Sequence, residues 1–161
     1  MTTDTIRCWV EVSLDAFAKN FKLAQELTGK KVMCVIKGNA HGHGALKSGL
    51  HLEKNGADAF AVACFTEAVE LREGGITKPI LILGWTPAEC AEQMADYNLT
   101  QSVFDEQYAI ELNAILNLEK LDKKITGAII SSVVPELTRI FKNAYIKIFD
   151  KVNYNVTISN S

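Results

Sequence analysis

Two rhythms alternate along this chain of 161 residues. Short, nearly continuous apolar runs suit strands. Between them, apolar residues recur three or four positions apart, as on one face of a helix. Residues 6–12 read as a first strand. Ser13 can then cap a helix with Leu14, Phe17, Phe21, Ala24 and Leu27 on one face, and Gly29 is a fitting stop. Residues 31–36 are apolar almost throughout, as expected of a strand buried on both faces. A helix over 45–55 follows, stopped by Gly56.

The rhythm continues. Residues 59–63 predict a third strand, and Thr66 can cap a helix that runs to Glu73 before Gly74 and Gly75. Residues 79–83 predict a fourth strand. Thr86, Pro87 and Glu89 together form a helix start: a cap, a proline at the first helical position and a capping-box partner. Residues 99–104 predict a shorter strand. Asp105 then starts a helix with Ile110, Ala114 and Leu118 on one side. A charged run over 119–124 is followed by a strand over 125–134. From Pro135 a helix is expected with Leu137, Ile140, Phe141, Ala144 and Ile148 on one face, and 154–158 is a short last strand.

Strand–helix units that recur in this way predict an α/β fold of parallel β/α units. The expected form is a partial TIM-barrel-like arrangement with an extra β/α unit at the C-terminus. Composition agrees with a packed domain: 48% hydrophobic and 22% charged residues. A net charge of −2 favours neither nucleic acid nor an anionic membrane as partner. No apolar run is long enough to span a bilayer, and residues 1–7 lack the pattern of a secretory signal. Cys8, Cys34, Cys64 and Cys90 are scattered without a Cys-x-x-Cys pair, so buried, reduced, structural thiols in a cytoplasmic protein are expected.

The candidate chemistry lies at Lys37. It closes the run 31–36 and opens the small-residue loop 38–44, which holds three glycines. Ligand sites of parallel β/α folds collect at the C-terminal ends of strands. An amine there, beside backbone that a cofactor can approach closely, suits a Schiff-base lysine in a partly dry pocket. The alternative is a solvated lysine ending a strand. His41 and His43 make a poor metal pair, having no carboxylate or cysteine close by, and no metal is expected. His43 is expected to pack or bond within the loop.

The stretch Val35-Ile-Lys37-Gly-Asn-Ala-His-Gly-His-Gly44 resembles the lysine motif of bacterial alanine racemases, enzymes of the pyridoxal-phosphate (PLP) barrel class. The resemblance extends over residues 6–118, through the Trp9–Asp15, Asn55–Ala63, Glu67–Arg72 and Pro79–Gly84 segments. It implies PLP as cofactor, with Lys37 as the Schiff-base lysine and one acid/base group. It also implies a small amino-acid substrate, alanine, and a homodimer. Where the family motif has a tyrosine against the PLP phosphate, this chain has His41, which can still donate a hydrogen bond. The family's His-x-Lys-x-Asp-Thr-Gly-Met-x-Arg strand, its later phosphate loops and its second base, a tyrosine from a C-terminal β domain, have no counterpart here. Racemisation is therefore expected to be impaired.

Residues 125–138 instead resemble a strand–Ser-Ser-Val-Val-Pro–helix unit of type III pantothenate kinase, a likeness that reaches about as far as residue 158. That family's phosphate loop and its Gly-x-Asp-Arg motif do not occur, so no kinase chemistry is implied. Two regions are expected, 1–124 racemase-like and 125–161 kinase-like. The alternative function is a non-catalytic composite α/β domain whose tail only completes the packing.

Overall fold

The computed structural model describes residues 8–118, 128–131 and 156–159. The chain divides into two compact units, one ending at Leu83 and one beginning at Gly84. In the first, helix α1 (Leu14–Thr28) precedes strand β1 (Met33–Val35). A short turn of helix, α2 (Lys37–His41), leads into α3 (Ala45–Lys54). Then come β2 (Ala59–Val62), α4 (Phe65–Glu73) and β3 (Ile80–Ile82). The three strands lie in the order β1-β2-β3 and are parallel throughout, with Cys34 opposite Phe60 and Ala61 opposite Leu81. This is the expected parallel β/α architecture.

Local signals account for several boundaries. Ser13 Oγ accepts a hydrogen bond from the Ala16 amide at 3.3 Å, capping α1 as its sequence suggests. Gly29 ends the helix at φ +61°, where its N–H reaches the Gln25 carbonyl. Helix α4 differs. Thr66 lies inside it rather than capping it, and the N-cap residue, Cys64, caps no helix amide with its side chain, its Sγ instead lying 3.2 Å from the Thr66 hydroxyl. Glu67, in the first turn, reaches back past the N-cap, and its Oε2 accepts the Ala63 N–H at 2.8 Å.

The core centres on β2. Phe60, Ala61 and Val62 are fully buried, flanked by Ile80 and Ile82 of β3 and by Leu71 and Ala68 of α4. Glycine inside α3 allows close approach: a Cβ on Gly49 would stand 3.2 Å from the δ carbons of both Ile36 and Ile76. Strand β1 departs from expectation. Met33 and Val35 are 45% and 47% exposed: they share one face of the strand, which the described residues leave largely uncovered, while Cys34 on the other face is half-buried. A continuous apolar run shows that burial is affordable, and the position in the sheet decides whether it happens. The predicted first strand is also not formed over residues 8–12, where Trp9 and Val10 are 72% and 79% exposed. Alternation supplies β propensity, but a strand needs a ladder partner.

The second unit holds a 3₁₀ turn (Ala88–Cys90), α5 (Ala91–Asp96), β4 (Thr100–Gln101) and α6 (Glu106–Leu118). Strands β5 (Ala128–Ser131) and β6 (Val156–Ser159) pair in parallel, from Ala128 opposite Val156 to Ser131 opposite Ser159. These two strands fall inside the predicted spans 125–134 and 154–158 or overlap them. The helix expected from Pro135 lies outside the described residues.

Two readings in this unit are corrected. The capping box at Thr86 does not form: the turn begins at Pro87 without a side-chain cap, and Thr86 is fully buried. Its carbonyl accepts the Tyr108 hydroxyl at 2.7 Å, so the residue is held by tertiary packing. In α6, Asp105 Oδ1 caps the Tyr108 amide as expected. The buried stripe, however, is Tyr108, Ala109, Leu112 and Leu116, while Ile110 and Leu118 are exposed. Both stripes have helical spacing, and burying the tyrosine ring with a satisfied hydroxyl selects one of them.

Candidate active site

Lys37 leaves the C-terminal tip of β1 directly after Ile36, which is buried to 3% exposure. The lysine itself is exposed, so the dry pocket expected around it is not formed by the described residues. Two open grooves lie nearby on the same unit. One, about 350 Å³, is lined by Glu11, Ser13, Phe17, Asn20 and His43 among others. The second, about 260 Å³, runs between α1 and β1 past Phe21, Cys34 and Leu52. Lys37 lines neither.

The turn that carries Lys37 is left-handed. Gly38, Asn39, Ala40 and His41 have φ of 60°, 54°, 53° and 53°. A single glycine adopts this region without penalty, but three consecutive residues with a Cβ each incur roughly 1–2 kcal/mol. Such backbone persists only where its surroundings over-determine it. Here they do. Asn39 Oδ1 accepts the Ala45 amide at 2.8 Å, and the Asn39 carbonyl takes the amides of Gly42 and Gly44. Ala40 is 2% exposed, and its carbonyl is bonded by His43 Nδ1 at 2.7 Å. The His43 ring also meets Phe17 edge-on at 5.6 Å, so this histidine packs and bonds within the loop as expected. Finally, the Gly38 amide donates to Glu67 Oε1 at 2.7 Å.

His41 stands exposed at the end of α2, four residues after Lys37. Among the described residues, no group of three His, Cys, Asp or Glu side chains could hold a metal ion. The donor set fits PLP at its aldehyde end, where Lys37 presents an accessible primary amine. His41 adds one donor suited to a phosphate oxygen. The cysteines are mixed in character. None of the four is fully buried, which corrects the expectation of buried thiols: Cys8 is exposed, and Cys34, Cys64 and Cys90 are half-buried. Burial, reinforced by the Asp58 carboxylate, pushes the Cys34 thiol up to about 11, so it stays protonated and structural.

Nothing in the sequence marks the full left-handed turn or gives Glu67 or Asn39 a part in holding it. Gly38, Gly42 and Gly44 hinted at positive φ, but nothing marked the three residues with side chains that share it.

Comparison with known proteins places the chain in a family. The alanine racemase N-terminal domain family matches residues 12–126. An alanine racemase of Clostridium perfringens is 48% identical over 106 residues, which is 65% of this chain and 28% of that protein. Alanine racemase 1 of Caldanaerobacter subterraneus subsp. tengcongensis is 51% identical over 105 residues, 64% of this chain and 27% of that protein. Among solved structures, the alanine racemase of Clostridium difficile 630 superposes with a TM-score of 0.68 at 27% identity, covering 98% of this chain and 56% of that one. The chain thus spans little more than a quarter of the curated relatives it matches. With its parallel β/α units and the lysine turn at the tip of β1, it belongs to the alanine racemase family, in the region of the TIM-barrel-like N-terminal domain.

Proposed function

We propose that this chain is the lysine-bearing portion of a PLP-dependent amino-acid racemase, with Lys37 as the residue that carries the cofactor. The observation that carries this reading is the placement of Lys37: a primary amine presented to solvent at a parallel strand's C-terminal tip by a costly left-handed turn, within the matched residues. When bound, PLP supplies the electron sink that stabilises negative charge at the substrate Cα. The Lys37 Nζ holds and moves a proton on one face of that carbon. His41 donates a hydrogen bond to the phosphate. The substrate class is a small amino acid, alanine by family, and the assembly is a homodimer in the cytoplasm.

Inversion of Cα needs a second acid/base group on the opposite face, and no residue of this chain is assigned to it. We expect cofactor attachment at Lys37 with little or no racemisation by this chain alone. The test is to incubate the protein with PLP, reduce with borohydride and map the modified lysine. Label concentrated at Lys37 supports the reading, and label spread evenly over the lysines refutes it. Chiral analysis of L-alanine incubated with the protein then checks turnover. Appreciable D-alanine, abolished by Lys37→Ala, would overturn the expectation of impairment.

If Lys37 takes no label, the non-catalytic composite domain is the better reading. The division near residue 124 and the pantothenate-kinase-like character of 125–158 rest on sequence resemblance alone, with no support from the comparisons.

A further inference from the structure

We propose that Glu67 is the positioning residue for Lys37, acting as a two-armed brace between strand ends. This rests on the reading of Lys37 as the cofactor-bearing amine. Each carboxylate oxygen has its own backbone donor. Oε1 accepts the Gly38 N–H at 2.7 Å, and Oε2 accepts the Ala63 N–H at 2.8 Å. Gly38 is the first residue after Lys37, and Ala63 is the first after β2. The ends of two neighbouring parallel strands are thereby tied to one side chain.

The chemistry of the brace is specific. An ionised carboxylate accepts at both oxygens, and bonds to it are stronger than neutral ones. Glutamine has one oxygen and an NH₂ group that can only donate, so it can satisfy one amide and faces the other with a donor. Aspartate is one methylene shorter and cannot reach both amides from the same position. Helix α4 holds Glu67 in place: the next residue, Ala68, is fully buried, and Glu67 itself is half-buried.

Without the brace, the Gly38 amide loses its side-chain partner. The left-handed turn then keeps its internal bonds, the Asn39 contact to Ala45 and the packing of Ala40 and His43, none of which holds the Gly38 amide. The first peptide after Lys37 is the one released. Glu67 thus acts on Lys37 through the backbone; it is not itself assigned any contact with substrate or cofactor.

Two measurements on the whole chain test this, using Glu67→Gln and Glu67→Ala. The first is amide hydrogen exchange without cofactor, read at Gly38 and Ala63 by NMR. Exchange at Gly38 is expected to speed up by at least about tenfold in Glu67→Ala, the scale of one lost charge-assisted bond. Amides in the middle of β2 should hold their protection. The second is PLP labelling with borohydride reduction, read as the ratio of label at Lys37 to label at all other lysines. That ratio should fall in both variants, whereas general unfolding would expose every lysine alike. Glu67→Gln keeps the side chain's shape, and guards against a Glu67→Ala protein that fails to fold.

Unchanged Gly38 exchange in both variants would overturn the brace. Faster exchange with an unchanged labelling ratio would overturn its role in setting Lys37. If the unsubstituted protein takes no label at Lys37 while Gly38 exchange still responds to Glu67, the cofactor reading fails and the brace stands as a structural feature.

Discussion

Cys34 shows how position sets the chemistry of one residue. It lies in β1, half-buried, on the groove between α1 and the strand. Desolvation, helped by the nearby Asp58 carboxylate, raises its pKa from 9.0 to about 11. Since the thiolate is the nucleophile, Cys34 should alkylate far more slowly at neutral pH than exposed Cys8, a difference readable by iodoacetamide labelling and peptide mass. The sign for stability follows. Between pH 9.0 and about 11 the folded form keeps a proton that the unfolded form releases. Folding stability is therefore unaffected by this group below that window and lost as pH rises through it. Cys34→Ala should lose less stability than the parent across the same window, measured by urea unfolding at stepped pH. Equal losses would show that the thiol is not linked to folding.

At the scale of the element, α2 stores its cost in the residues that carry side chains. His41 is exposed, yet has φ of 53°. Replacing it with glycine removes a Cβ penalty of about 1–2 kcal/mol, partly offset by about 0.4–1 kcal/mol of extra unfolded-chain entropy. His41→Gly should thus be more stable by up to about 1.5 kcal/mol, read from a denaturation midpoint. If His41 donates to the PLP phosphate, the same variant should hold PLP less well. More stability with weaker PLP retention is the expected pairing; unchanged retention would remove His41 from the cofactor site. Helix α6 offers a second test. Tyr108 donates its hydroxyl to the buried Thr86 carbonyl at 2.7 Å. Tyr108→Phe leaves that acceptor without this partner and should cost about 1–2 kcal/mol, measurable by urea unfolding.

Across the molecule, β2 is the keystone of the first unit. Phe60 is fully buried in the middle of three parallel strands. Phe60→Ala should destabilise the protein by roughly 3–5 kcal/mol, enough to threaten folding at ordinary stabilities. Loss below 1 kcal/mol in urea unfolding would mean that this strand is not the packing centre. Among the described residues no helix is long and apolar enough to cross a membrane. The parallel order β1-β2-β3 brings the ends of β1 and β2 to the same side, where Glu67 accepts the amides of Gly38, next to Lys37, and Ala63.

Much of this was legible in the chain itself. The alternation of apolar runs and helical stripes specified parallel β/α units, because burial on a sheet and burial on a helix demand different periods. Ser13, Gly29 and Asp105 marked their helix ends, since a cap is a bond between near neighbours in sequence. The Lys37 motif marked the family, because a run of specific small residues around one lysine is rarely reached by chance. Tertiary structure alone decided the rest. Whether β1 is covered, which stripe of α6 is buried and whether Thr86 caps a turn all depend on what lies across the sheet or on another helix. The handedness of the Lys37 turn belongs with these. Its three residues with side chains have no local preference strong enough to hold positive φ, and bonds from Asn39, His43 and Glu67 hold it. Glu67 reaches Gly38 from 29 positions away in sequence, a separation that no local pattern reports.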